Sequence, residues 1–132
     1  MTLARVAAEA RRNASGIAAA IRDLTAVFGN RVVTAQAVRE QHGNTLTWVP
    51  NQPPDAVVYP QTAADVPQIV RVCAQPGAPV IPFGVGTSLE GHINAPAGGV
   101  PSDVIDTNKL LAVQAAHLGC VLEPAITRTY LQ

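Results

Sequence analysis

The chain has 132 residues, 48 % hydrophobic and 14 % charged, with a formal net charge of zero. That is the composition of a single globular domain, not of a disordered segment. A balanced charge and an aromatic share of 4 % argue against nucleic-acid binding, which needs a basic face or stacking platforms, and no apolar run nears the roughly 20 residues of a membrane helix.

Residues 1–16 read as a frayed, alanine-rich helix ending near Asn13, Ser15 and Gly16. Arg5, Arg11 and Arg12 are accompanied by Glu9 without the apolar core of a secretory signal, so the expected location is cytoplasmic, or mitochondrial in a eukaryote. Ile17, Ile21, Leu24 and Phe28 then recur on one helical face, and Gly29 stands where a left-handed cap is expected. Both helices are expected to cover a sheet. Thr34 is placed to cap a short helix over residues 35–41 that Gly43 ends, and His42 at that end reads as a capping or surface group favoured by the helix dipole. The run from Trp48 through Pro50, Pro53 and Pro54 imposes a stiff, extended path. Residues 1–49 are therefore a helical lead-in, and residues 50–132 form the main unit.

Residues 56–59 read as a strand closed by Pro60. Thr62 and Asp65 form a capping box, and Val66, Ile69, Val70 and Cys73 share one apolar helical face. Pro67 falls in the second turn of that helix and is expected to bend it. Gln75-Pro76-Gly77 ends the helix and residues 79–82 supply the next strand, making a β-α-β unit with parallel strands. A small-residue turn at residues 95–99 leads to a strand at 100–105, which Pro101 should confine to a sheet edge or a bulge. Asp106, Thr107 and Asn108 make a turn. Residues 120–123 are a last strand closed by Pro124, and residues 127–131 begin a helix. Cys73 and Cys120 lie far apart without companion ligands, so neither a metal site nor a disulfide is expected, only two reduced, buried thiols.

The β-α-β unit sends residues 80–92, VIPFGVGTSLEGH, out of the carboxyl end of a parallel strand, the edge where open α/β sheets bind ligands. Gly84, Gly86 and Gly91, with Thr87 and Ser88, leave backbone N–H groups open to an anion. The loop fails the dinucleotide fingerprint, because Leu89 takes the third glycine's place, and it has no lysine for a Walker loop. A phosphate cradle and a tight turn between strands both fit the spacing.

The runs PDAVVYPQTAADVPQIVRVCA, PVIPFGVGTSLEGHINAP and GGV, followed by NKLLAV and CVLEPAIT, resemble FAD-linked oxidases of the vanillyl-alcohol-oxidase superfamily. Within it the chain is similar to the group of D-lactate dehydrogenase (cytochrome) and the glycolate oxidase D-subunit, from about Val32 to Gln132. The resemblance implies an α+β, PCMH-type FAD-binding domain, incomplete here, with a small parallel β-α-β sheet followed by the start of a second α+β half. It implies that Gly84, Val85, Gly86, Thr87 and Ser88 hold the FAD pyrophosphate, that Gly91 and His92 lie close to the cofactor, and that Pro124 and Thr127 belong to a second cofactor segment. The implied activity is hydride transfer from a D-2-hydroxy acid to FAD, then to an electron acceptor, in a full-length enzyme several hundred residues long. No catalytic residue and no metal ligand is nominated in this chain, and a non-enzymatic fragment with weak or no FAD binding is the other reading. Ala125 stands where the family carries glycine, which would strain the backbone if a positive φ were required there. Thr107 replaces a common methionine.

Overall fold

The computed structural model describes residues 12–132, so most of the helix expected over residues 1–16 lies outside the described residues. Helix α1 spans Ala14–Phe28. Asn13 starts this helix and does not end an earlier one: its side chain accepts the Gly16 N–H at 3.0 Å and donates to the Pro76 carbonyl at 2.8 Å. Gly29 ends α1 with a φ of 58°, as a glycine stop requires. A 3-10 turn at Gly29–Arg31 leads to strand β1 (Val32–Val33), and helix α2 spans Gln36–His42. Ala35, not Thr34, precedes α2, and no side chain caps it.

Strands β2 (Val57–Val58), β3 (Val80–Phe83) and β4 (Val100–Asp103) join β1 in a sheet of order β1-β2-β4-β3. The strands flanking helix α3 (Asp65–Ala74) do run parallel, but β4 is inserted between them, and β1 adds an antiparallel edge. Pro101 therefore sits in the middle of the sheet, against the expectation of an edge or bulge. The pairing geometry explains why. Val100 and Val104 donate their N–H groups to Pro79 and Phe83 on the β3 side. By alternation Pro101 turns its nitrogen towards β2, where two residues of strand leave only the Val58–Ser102 pair. The missing donor falls where the neighbouring strand is too short to need it.

In α3 the carboxylate half of the expected capping box holds. Asp65 Oδ2 accepts the N–H groups of Gln61 at 2.9 Å and Thr62 at 3.1 Å, together with the Arg31 guanidinium at 2.8 Å. These donors hold the Asp65 carboxyl below the usual carboxylate range, the Gln61 N–H first among them, against a smaller opposing effect of burial. Because α3 begins at Asp65, Pro67 lies in the first turn, where an N–H has no partner to lose, and the expected bend is not needed.

Ile17, Ala20, Leu24 and Phe28 of α1 meet Ile69 and Cys73 of α3 over Val58 and Val100 of the sheet, forming the core. Val70 belongs to this face in the sequence pattern but is 45 % exposed. The lead-in helix α1 is thus part of the same core as the sheet it covers. Beyond β4, strands β5 (Leu110–Gln114) and β6 (Gly119–Leu122) pair antiparallel as a separate hairpin, and Thr127 caps the short helix α4 (Arg128–Leu131) by accepting the Tyr130 N–H. The sequence reading missed β5. It also buried Cys120, which is exposed on β6, whereas Cys73 is buried and its thiol is pushed up to about 11 by that burial. The architecture is α+β: a small sheet under two helices, followed by a β-hairpin and a helical turn.

Candidate functional site

Phe83 is the last residue of β3, and residues 84–88 turn away from the carboxyl edge of the sheet. Gly86 has a φ of 70°, and a Cβ built on it would stand 2.8 Å from Cζ of Phe83. The turn is therefore open only to glycine at that point, since any side chain meets both left-handed backbone strain and the Phe83 ring. Gly84 has no atom within 4 Å of an added Cβ, so its backbone faces open space. Among the described residues, none of the five backbone N–H groups from Gly84 to Ser88 finds an acceptor. Successive uncommitted N–H groups in one turn form an anion-binding concavity.

This turn lines a cavity of about 250 Å³ together with Pro82, His92, Ile93 and Pro124. The structure thus brings together Gly84, Val85, Gly86, Thr87, Ser88, His92 and Pro124, residues that are distant in the chain only at Pro124. It keeps two others apart. Gly91 packs towards Thr47 and Val49, and Thr127 lines a separate 130 Å³ cavity with Asn108, Ala125, Ile126 and Tyr130. Ile93, 2 % exposed, had no signal in the sequence beyond its apolar character. Within the loop, Ser88 Oγ lies 3.1 Å from both Glu90 Oε2 and His92 Nδ1. Its single proton can serve only one of them, so donation to Glu90 leaves it to accept from His92.

Beneath the loop lies a polar pair that sequence reasoning did not place. His42, expected at the surface, is 4 % exposed. Its Nδ1 donates to the Val38 carbonyl at 2.8 Å, which preserves the capping half of the expectation, and its Nε2 lies 2.8 Å from Asp103 Oδ2. A carbonyl only accepts, so Nδ1 carries a hydrogen. With Nε2 against a carboxylate, the ring suits an imidazolium. Burial alone would lower the His42 pKa, but the Asp103 hydrogen bond, the Val38 carbonyl and the Asp103 charge together raise it. The imidazole lies on Phe83, with ring centroids 4.4 Å apart, and Tyr59 meets it edge-on at 6.1 Å.

Comparison with known proteins identifies the family to which the chain belongs. Residues 54–132 match the family described as an FAD binding domain. The chain belongs to that family. The match runs from just before β2 to the last residue and contains the whole glycine turn. The chain is 35 % identical over 100 residues to a probable mitochondrial D-lactate dehydrogenase of Danio rerio, covering 76 % of this chain and 20 % of that one. It is 36 % identical over 73 residues to the mitochondrial D-lactate dehydrogenase [cytochrome] of Arabidopsis thaliana, covering 55 % and 13 %. The chain thus spans a fifth or less of the length of these relatives. A crystal structure of p-cresol methylhydroxylase with substrate bound has the same fold, with a TM-score of 0.75 at 19 % identity over 89 % of this chain and 24 % of that one. The family and the PCMH-type fold agree with the resemblance in the sequence.

FAD is the cofactor of this family, and the residues present fit it. Among the described residues the turn offers five N–H donors without an acceptor, two hydroxyls at Thr87 and Ser88, and a glycine at the point where a side chain would strike the Phe83 ring. Among the described residues no group of His, Cys, Asp and Glu is arranged to hold a metal ion.

Proposed function

We propose that residues 84–88 bind the pyrophosphate of FAD, with Gly91, His92, Pro124 and Thr127 along the rest of the cofactor. The FAD-binding domain is then the cofactor-holding part of an FAD-dependent D-2-hydroxyacid dehydrogenase. The observation that carries the reading is the row of unpaired N–H groups at the carboxyl edge of β3, inside the stretch that matches the FAD binding domain. Neutral donors suit a pyrophosphate in a loop without lysine or arginine, because a nest of amides spreads partial positive charge over several oxygens. The chemistry FAD supplies in such an enzyme is acceptance of a hydride from the α-carbon of an acid such as lactate or glycolate. This chain's own share is binding and orientation: the turn holds the phosphates, and Pro124 lines the same cavity. The relatives' names support a 2-hydroxy acid as substrate, a cytochrome-type electron acceptor, and a mitochondrial location in a eukaryote.

The test is to purify the chain with added FAD and record its visible absorbance and melting temperature. A hundredfold excess of FAD over Kd stabilises the folded state by about 2.7 kcal/mol, equivalent to a Tm rise of about 10 °C for a domain of this size. Gly86→Val should remove both the bound absorbance and the shift, because the side chain meets the Phe83 ring and a φ of 70°. A colourless, unshifted wild-type protein would overturn the reading. FAD binding that survives Gly86→Val would move the site elsewhere.

A further inference from the structure

The glycine turn does not rest on the sheet alone. Phe83 and Asp103 are register partners on neighbouring strands, so their side chains leave the sheet on the same face. His42 lies over that face, bonded to Asp103 and in contact with the Phe83 ring. On the side of Phe83 towards the turn is Gly86, whose missing Cβ would come within 2.8 Å of the ring. The Phe83 ring therefore stands between the imidazole of α2 and the backbone of the phosphate turn.

We propose that His42, held as an imidazolium between Asp103 and the Val38 carbonyl, is the positioning residue of the phosphate turn: it fixes the Phe83 ring on which Gly86 rests, and the turn loosens when His42 loses its proton. The inference rests on the reading of residues 84–88 as the FAD pyrophosphate site for its effect on binding, but not for its effect on the turn itself. The charged and titratable groups around His42 are few. Asp103 faces it from β4, and Tyr59 meets it edge-on from the end of β2; Phe83 of β3 is uncharged. On its own helix, Arg39 is turned to the Pro54 carbonyl and Glu40 to Gln36. Burial, then the charges of Asp103 and Asp106, push the Tyr59 phenol up, so it stays neutral throughout the range that matters. Deprotonation of His42 leaves one ring nitrogen as a lone pair against an oxygen, the Val38 carbonyl or the buried Asp103 carboxylate, and that repulsion is relieved by moving the ring, which bears on Phe83. The sign follows from the raised His42 pKa. The ordered turn is fully present below the ordinary histidine value and is lost as pH rises through the raised one.

The experiment is an NMR titration of the FAD-free chain from pH 5.5 to 9, following the Gly86 amide and the ring protons of the three histidines. The Gly86 amide is expected to move with the inflection of the His42 ring. In His42→Gln, which keeps a hydrogen-bond donor for Asp103 but cannot titrate, that inflection should vanish. Any inflection that remains and follows the His92 ring is a local effect of the loop. A Gly86 amide that stays still while His42 titrates, or that titrates unchanged in His42→Gln, overturns the proposal. The wild-type titration decides the matter even if the variant fails to fold. In a second arm, Kd for FAD is measured by flavin fluorescence across the same range. It is expected to rise about fivefold or more with pH in the wild type and to stay flat in His42→Gln. If the amide couples to His42 and FAD does not bind at any pH, the cofactor assignment of the turn fails while the positioning role stands.

Discussion

Ala125 stands where the resemblance in the sequence leads one to expect glycine, and its conformation shows what that residue costs the backbone. Among the described residues Leu118 alone combines a side chain with a positive φ. Ala125 is therefore unstrained, its methyl 4 % exposed and its N–H donated to the Thr107 carbonyl at 3.0 Å. Thr107 is a further departure, and it too is used locally: its hydroxyl donates to the Val104 carbonyl at 2.7 Å. Ala125→Gly should accordingly bring no gain in FAD affinity. It should lower stability by about 1 kcal/mol, from lost methyl burial and added backbone freedom, as read in urea unfolding with FAD titrated separately. Tighter FAD binding in the glycine variant would show that the methyl obstructs the cofactor. The glycine turn itself was legible in the sequence, because Gly84, Gly86 and their hydroxyl neighbours are contiguous. His42 was not. Its partner Asp103 lies 61 positions away, and a histidine at a helix end carries no sign of whether the end faces water or a strand.

At the scale of elements, the local signals were followed except where tertiary contacts replaced them. The α1 stripe and the Gly29 stop appear as read, since both depend on neighbours within one helix. The order of the sheet was not legible. Periodicity marks β2, α3 and β3 as a unit but says nothing about a later strand entering between them, and Pro101 pointed the wrong way because its effect depends on which neighbour its nitrogen faces. The start of α3 carries a pH-dependent contribution of its own. Asp65, its side chain 18 % exposed, joins Arg31 to the first turn of α3 and accepts two backbone N–H groups. Because its folded pKa lies below the unfolded one, its stabilisation is present above the ordinary aspartate range and is lost as pH falls through the folded value. Asp65→Asn should cost about 1 kcal/mol at pH 7. The difference from wild type should shrink as unfolding is measured at progressively lower pH below 4. A penalty that is the same at pH 3 and pH 7 would mean that packing, and not the carboxylate charge, holds the helix start.

The whole molecule is uneven in how well its parts are covered. The sheet packs against α1 and α3, with β2 and β4 fully buried, whereas every position of the β5–β6 hairpin is exposed. Leu111 is 59 % exposed, Val113 67 % and Leu118 97 %, with Leu131 and Tyr130 of α4 also open. A two-stranded hairpin with this much uncovered apolar side chain is marginal in water and presents free strand edges. The 132-residue chain by itself is therefore expected to self-associate through the hairpin, with sedimentation showing species above the monomer that grow with concentration. Reducing conditions are needed for this measurement, because the exposed Cys120 pairs opposite Val113 and could cross-link two chains. Leu111→Lys with Val113→Lys places two like charges on β5 and should shift the distribution to monomer. The sheet core does not touch these positions, so the melting temperature of the domain should change by little, within about 0.5 kcal/mol of the wild-type stability. If the wild-type chain sediments as a monomer at every concentration, the exposed hairpin does not drive association. If the double variant associates as strongly as the wild type, the contact lies on another surface, such as the one around Leu46 and Trp48, which are 83 % and 77 % exposed.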